Sequence, residues 1–592
     1  MSKISGFISI LQGCNSMERL RKIHAQILVN GYRYDPSVSL KLLNFCAVSV
    51  VGDLTYARVL FDEMASPQTA AWNSIIRGYS QSSFPVEAIF LYNRMMEEGQ
   101  SAPDTFTFSF LLKACERVKA KKKCREVHGS IIQGGFASDV MVSTNLLRCY
   151  AGNNEIEIAR RAFNEMPEKD MVAWNSMISC YSQAGLHDDA LRIYDQIKIL
   201  DLGLDAFTVV GLLSSCAHLG ALNFGIKMHK LADENGLLDN MFVGNALIDM
   251  YAKCGCLDAA LQVFEGMKRR DVLTWNSVIV GLGVNGHGDE AISFFKRMLA
   301  VGLRPSSVTF LGLLRGCSHQ GLVEDGVKYF HMMNSQFNLK PGVKHYGCMV
   351  DLFGRAGRLH CALEMIRDSA SHDDPVLWRT LLSACKIHRN VEMGEEAMRN
   401  LVQINASNAG DCILLSRIYD EVGDRQGVMR MRKIIKCEGI KTTPGWTWIE
   451  VDGIVHRFVA GDKSHENYEE IHLKLKEMIR QATLMGYVKE KYGLTEPESF
   501  EQCSNDEDQC HSEKLAIAFG YDGFSVCNII NQETGVQQKN ASNICLQVLR
   551  VDSTLPSSSQ KRNCKSVVLK WLTAAEFDFR LVALENVPLF TE

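Results

Sequence analysis

No apolar run in this 592-residue chain approaches the roughly 18–20 residues that a membrane-crossing helix needs. A helical span and a membrane partner are therefore not expected. An excess of positive charge is also missing: 64 Lys and Arg stand against 68 Asp and Glu, a net charge of −4. That balance excludes a uniformly basic surface, so any contact with nucleic acid has to come from local patches and specific polar groups. One such patch is Lys119, Lys121, Lys122, Lys123 and Arg125, placed by the sequence in a turn between helices, where a solvated loop is as good a reading as a phosphate contact. Despite 20 cysteines, no two stand in a Cys-x-x-Cys arrangement. Most, such as Cys115, Cys149, Cys180, Cys216 and Cys317, recur at one helical position, where cysteine acts as a small hydrophobe. A reducing compartment follows, and on that reading the sequons Asn405-Ala-Ser407 and Asn540-Ala-Ser542 carry no glycan. A long Arg/Ser-rich transit peptide is absent too, since the segment from Met1 enters the first periodic stretch almost at once.

What is present is a period. With 46% apolar and 22% charged residues the chain reads as folded and soluble, and it is too long for one ordinary core. The tripeptide Trp-Asn-Ser occurs at Trp72, Trp174 and Trp275, which sets Asn73, Asn175 and Asn276 apart by 102 and 101 residues. Each block subdivides into pieces of 35, 35 and 31 residues, as in Met171–Asp205, Ala206–Asn240 and Met241–Asp271. Every piece holds two apolar-periodic segments around a break. In the first, Trp174, Met177, Ile178 and Tyr181 fall at i, i+3, i+4, i+7, and after Gln183-Ala-Gly185 so do Ala190, Ile193, Tyr194 and Ile197. Both segments are amphipathic helices. A two-helix unit buries its apolar stripe only by stacking on neighbours, which predicts an all-α fold built as an α-solenoid.

The blocks resemble pentatricopeptide (PPR) repeats of the plant PLS class, whose P, L and S repeats alternate with these lengths. The resemblance is carried by Phe163-Asn-Glu-Met-Pro167, Tyr251-Ala-Lys-Cys-Gly255, Leu112-Lys-Ala-Cys115 and Lys22-Ile-His-Ala-Gln26 over residues 1–374. It implies a right-handed solenoid. Residues 1–35 read as an incomplete L-like piece, and P-type repeats begin at Thr69, Met171 and Val272. A final variant L and S pair spans Ser307–Gly342 and Val343–Asp374. Residues 375–441 continue helically, with Trp378, Leu381, Leu382 and Cys385 on one face, and resemble the family's E domain. In 442–492, Trp446–Val451 and Ile454–Val459 around Asp452-Gly453 read as a β-hairpin, because Asp-Gly supplies the positive φ angles of a tight turn. A helix is predicted from about Glu466 to Met485. Pro444-Gly-Trp-Thr-Trp-Ile-Glu450 resembles the PG box that opens the E+ and DYW-type deaminase regions, a small α+β part.

In each P-type piece the tryptophan points into the stack, so the neighbouring asparagine points elsewhere. Asp170, just ahead of the helix that carries Asn175, is expected close to it. An amide beside a carboxylate can read the Watson–Crick edge of an unstacked base, one base per repeat; the alternative for Asp170 is a simple helix cap. The register supporting base reading is Asn73/Asp104, Thr144/Asp170, Asn175/Asp205, Asn245/Asp271 and Asn276/Ser306, with Ser109/Asp139 as an L-type pair. The family's pairing rules assign Asn with Asp to uridine, Thr with Asp to guanosine and Asn with Ser to cytidine, and imply the motif U-n-G-U-n-U-C from the repeat at Thr69 to that ending at Ser306. Val210 and Leu311 have no hydrogen bonds to offer a base, and Leu40/Gln68 and Gly347/Asp374 fit no pairing.

The tail carries half of a zinc cytidine deaminase signature. His511-Ser512-Glu513 matches the His-x-Glu in which His binds zinc and Glu moves the proton. The Pro-Cys-x-x-Cys half is missing, since Cys527, Cys545 and Cys564 stand far apart. The DYW-like pattern covers 493–520 and stops after Gly520; 521–592 shows no family pattern, as a frameshift, a retained intron or natural degeneration would leave it. A bound zinc is expected only if another ligand set completes the site. Gly281-Leu-Gly-Val-Asn-Gly286 fits G-x-G-x-x-G but follows a helix rather than a strand, and Cys254-Gly-Cys256 reads as a turn variant rather than a metal clip. The resemblance implies a specificity factor for C-to-U editing of single-stranded RNA in a mitochondrion or chloroplast, with a DYW-type deaminase or other editing proteins supplied in trans. A self-sufficient zinc deaminase, an RNA stabilisation or splicing factor, and a protein-binding helical scaffold are the alternatives.

Overall fold

The computed structural model describes residues 3–33, 35–200, 202–437, 446–451, 454–459, 465–484, 528–532 and 544–547. Among these are 27 α-helices, 26 of them between Lys3 and Cys437 in stacked pairs, as the periodicity predicts. The chain divides into two compact units, Met1–Leu212 and Leu213–Glu592.

The pairs have the predicted boundaries for local reasons. In the repeat from Met171, the first helix runs Met171–Gln183 behind the N-cap Asp170, and the second His187–Ile199. Gly185 takes the left-handed φ of +77° in the break, a value at which a side chain is strained. Repeat type shows in the second helix: 13 residues in P-type repeats, as in His187–Ile199 and Gly288–Ala300. It is 9 or 10 residues in S-type repeats, as in Leu54–Asp62, Ile156–Glu165 and Leu257–Gly266.

In both units the tryptophan of Trp-Asn-Ser is buried edge-on against the last phenylalanine of the preceding repeat. Ring centroids lie 4.6 Å apart for Phe61–Trp72, 4.9 Å for Phe163–Trp174 and 4.9 Å for Phe264–Trp275. A second recurrent contact joins L-type to S-type repeats. His24 Nδ1 meets the Tyr56 hydroxyl at 2.7 Å, His128 that of Tyr150 at 2.8 Å and His229 that of Tyr251 at 2.9 Å. The family's Lys-Ile-His-Ala and Tyr-Ala-Lys-Cys-Gly strings thus hold packing partners. Cys115, Cys149, Cys180, Cys216 and Cys317 are all buried and none is in a disulfide, as small core hydrophobes.

Some expectations change. The first 35 residues hold a pair of helices, Lys3–Gln12 and Met17–Val29, the first of 10 residues where the later L-type repeats have 14. The basic patch is not a turn: Lys119 caps one helix, and Lys121, Lys122, Lys123 and Arg125 open the next, Lys121–Gln133. Lys123 pairs with Glu126 at 2.7 Å, Arg125 with Glu155, and Lys119 donates to the Gly152 carbonyl, which ties much of the patch to the protein itself. The G-x-G-x-x-G decoy is resolved by packing. A Cβ on Gly283 would collide with the Gly312 carbonyl oxygen of the helix Ser307–Gln320, and Gly286 adopts φ +83° in the turn.

In the second unit, strand β1 (Trp446–Val451) pairs antiparallel with β2 (Ile454–Val459), with Trp446 opposite Val459 and Val451 opposite Ile454. The predicted hairpin is present; its Asp452-Gly453 turn lies outside the described residues, as do His511 and Glu513. The tail adds what the sequence did not suggest: β3 (Asn528–Gln532) pairs with the free edge of β1, and β4 (Ile544–Gln547) with β3, giving the order β2-β1-β3-β4. The helix predicted near Glu466–Met485 runs Tyr468–Leu484. No helix among the described residues is long and apolar enough to cross a membrane.

Candidate nucleic-acid interface

Most first helices of the repeats start behind a polar N-cap, and that cap is the last residue of the repeat before it. Asp104, Asp139, Asp170, Asp271 and Ser306 each accept a backbone N–H of their own helix, from Thr107, Val142, Ala173, Thr274 and Thr309. Helix capping is therefore real at every one of these positions. It also fixes the cap side chain, and at Asp104 and Ser306 that side chain meets the reading asparagine of the preceding repeat as well.

Three of the predicted pairs are joined there. Asn73 Nδ2 donates to both Asp104 oxygens, at 2.9 and 3.0 Å. Asn175 Nδ2 donates to both Asp205 oxygens, at 3.1 and 3.0 Å. Asn276 Nδ2 donates to Ser306 Oγ at 3.0 Å. The partner of Asn175 is thus Asp205, the last residue of its own repeat, and not Asp170, which accepts Ala173 N at 2.8 Å. The remaining pairs are not joined. Ser109 Oγ donates back to the Thr105 carbonyl at 2.7 Å while Asp139 caps Val142. Thr144 Oγ1 and Asn245 Oδ1 are buried without a hydrogen-bond partner, although Asp170 and Asp271 stand at the ends of their repeats.

Two features went unread in the sequence. The first is a threonine three residues after the cap. Thr107 Oγ1 lies 2.6 Å from Asn73 Oδ1, Thr208 Oγ1 2.7 Å from Asn175 Oδ1, and Thr309 Oγ1 2.5 Å from Asn276 Oδ1. The second is an exposed apolar side chain at the second residue of successive first helices: Phe106, Met141, Val172 and Phe207 in one unit, Phe242, Leu273 and Val308 in the other. Phe207 is 79% and Phe242 65% exposed. Each sits three residues before the candidate reading residue, so the two share one helix face. The signal was available, because Val172 lies off the buried stripe of Ala173, Trp174, Met177 and Ile178.

Chemically, the joined sites at Asn175 and Asn276 have an exposed apolar side chain, Val172 and Leu273, on the same helix face. At Asn73 and Asn175 the half-buried amide keeps one N–H and one oxygen lone pair for a base edge, whereas Asn276 is only 5% exposed. Among the described residues no cluster of three metal-ligating side chains occurs.

Comparison with known proteins agrees with this architecture. The PPR repeat family model matches residues 67–117 and 270–319, the PPR repeat model 142–171, 172–202, 245–272 and 308–336, and the E motif model 388–450. A pentatricopeptide repeat-containing protein of Arabidopsis thaliana is 54% identical over 514 residues, 87% of this chain and 88% of that protein. A second from the same plant, named chloroplastic/mitochondrial, is 37% identical over 86% of this chain and 83% of its own length. A third, named mitochondrial, is 37% identical over 87% and 82%. Among solved structures, maize PPR10 is similar at 18% identity and a TM-score of 0.41, covering 74% of this chain and 73% of that one. PPR10 in complex with an 18-nt psaJ RNA element is similar at 19% identity and a TM-score of 0.40, covering 73% and 72%. With helix pairs, repeat models and relatives of near-equal length in accord, the chain belongs to the pentatricopeptide repeat proteins and carries their E motif.

Proposed function

We propose that this chain binds single-stranded RNA in a sequence-specific way, one base per repeat, and designates cytidines for C-to-U editing in a mitochondrion or chloroplast. The observation that carries the reading is the joined pair at Asn73/Asp104, Asn175/Asp205 and Asn276/Ser306, each three residues beyond the second position of its helix. In the first unit the reading residues are Asn73, Thr144 and Asn175, for U, G and U, separated by the L-type position of Ser109. In the second they are Asn245 and Asn276, for U and C. Bases stack on Phe106, Met141, Val172, Phe207, Phe242, Leu273 and Val308, a contact every base can make, while the polar pair selects among them. The net charge of −4 leaves affinity resting on base contacts more than on phosphates.

The organellar site is supported by the names of two relatives. The editing role rests on the E motif and on the PG-box and His511-Ser-Glu513 resemblances. Zinc chemistry is not assigned to this chain: His511 and Glu513 have no Cys-x-x-Cys partner in the sequence, so the deaminase is proposed to act in trans.

The test is the double substitution Asn175→Ala, Asp205→Ala in the full chain. Binding to RNA carrying U-n-G-U-n-U-C should weaken about ten-fold, from the loss of one to two base hydrogen bonds, with the helical circular dichroism signal intact. Equal affinity for cognate and scrambled RNA, before and after substitution, contradicts the proposal.

A further inference from the structure

An asparagine amide is symmetric enough in shape to sit either way round, and the two orientations present opposite patterns to a base. What holds it one way at the joined sites is not the cap alone. The carboxylates of Asp104 and Asp205 accept only, so Nδ2 faces them. Oδ1 is then delivered to Thr107 and Thr208, whose hydroxyls lie 2.6 and 2.7 Å away. The single hydroxyl proton is within reach of both oxygens, since Thr107 Oγ1 is 2.9 Å from Asp104 Oδ1 and Thr208 Oγ1 2.8 Å from Asp205 Oδ1. At the third site the cap is neutral: Ser306 Oγ lies 3.3 Å from Thr309 Oγ1, and the threonine proton goes to Asn276 Oδ1 at 2.5 Å. All three threonines are completely buried, and so cannot meet a base themselves.

All three threonines belong to L-type repeats, whose own reading positions offer little. Ser109 donates into its own helix, and Val210 and Leu311 are apolar. S-type sites provide the contrast. Behind Asn245 stand Asp271 and Thr274, the same residue types in the same order, yet Thr274 Oγ1 bonds Asp271 at 3.0 Å and Asn245 Oδ1 has no partner. The second helix of that repeat is 10 residues rather than 13, close to one turn shorter, and no hydrogen bond joins the asparagine oxygen to the next cap.

We propose that Thr107, Thr208 and Thr309 are positioning residues that lock the amides of Asn73, Asn175 and Asn276. Each P-type repeat then reads its base together with the first turn of the L-type repeat that follows. This rests on the base reading proposed above. L-type repeats have a part in specificity without reading strongly themselves, and Asn245, unlocked, discriminates less at the sixth base of the motif than Asn175 does at the fourth.

The test uses the full chain and synthetic RNAs carrying each of the four bases at the first or fourth motif position. Thr208→Val keeps the side-chain volume and the Asp205 cap but removes the hydroxyl. It should lower the preference for uridine at the fourth position about five-fold, the loss of one hydrogen bond, and leave the first position unchanged. Thr208→Ser, which restores a hydroxyl, should restore the preference. Thr107→Val should do the reverse, losing preference at the first position only, which excludes a general loss of fold. An undiminished preference in both valine variants, with Asn175→Ala abolishing it, overturns the inference and leaves base reading standing. Indifference to Asn175→Ala as well overturns both.

Discussion

Ser306→Asp turns the third joined site into a copy of the other two, and its consequences follow from distances. Ser306 Oγ accepts Asn276 Nδ2 at 3.0 Å and Thr309 N at 3.4 Å. At the matching positions Asp104 accepts Thr107 N at 2.8 Å and Asp205 accepts Thr208 N at 2.7 Å. An aspartate at 306 therefore caps the helix at least as well as serine, and stability should change by no more than about 0.5 kcal/mol. What changes is the partner of the Asn276 amide: a hydroxyl, able to donate or accept, becomes a charged group that only accepts. If base choice is set there, cytidine should give way to uridine at the seventh position. Exchanging one hydrogen bond, about 1–1.5 kcal/mol, shifts the cytidine-to-uridine ratio by roughly ten-fold. Fluorescence anisotropy with two RNAs differing only at that base reads the ratio directly. An unchanged ratio, with both RNAs still bound, would refute the assignment of base choice to this pair.

Other expectations concern the scaffold. Trp174→Ala removes a buried ring packed on Phe163 and should cost about 3–5 kcal/mol, seen as a lowered urea midpoint. Gly283→Ala drives a methyl into the Gly312 carbonyl and should cost about 1–3 kcal/mol in the same assay, whereas nothing lies close enough to the open Gly266 position to produce a clash there. Burial lowers the pKa of His24, His128 and His229, and burial followed by the Arg355 cation pushes His319 down to about 4. Since each folded-state value lies below the ordinary 6.5, the unfolded chain takes up these protons first. Stability should be full above about pH 6.5 and fall as the pH drops toward 4; thermal melting points that rise over that interval on acidification would contradict the burial of these imidazoles.

Much of this was legible in the sequence because a solenoid repeats its own signals. The Trp-Asn-Ser period, the apolar stripe through Trp174, Met177, Ile178 and Tyr181, and the glycine at 185 all encode local decisions, and helices formed where they pointed. The pairing of Asn175 with Asp205 was legible for the same reason, through register. Its threonine was not: Thr208 lies 33 residues from Asn175, and an ordinary capping residue at the third helical position gives no hint of a second bond. The failure of Asn245 to join Asp271 was equally hidden, since identical residue types stand at both sites while the intervening helices differ, 13 residues in one and 10 in the other. The pairing of β3 with β1 joins segments about 80 residues apart, and non-local edges of that kind leave little trace in a pattern of single residues. The exposed Phe207 and Phe242 were readable as exceptions to a stripe, but only once the stripe itself was fixed in space.

The most direct measurement is selection of RNAs from a randomised single-stranded pool by the full-length chain, followed by sequencing. Base reading by the joined pairs predicts enrichment of U-n-G-U-n-U-C, with the first, fourth and seventh bases the sharpest. A bound pool with flat composition at those three positions would contradict it.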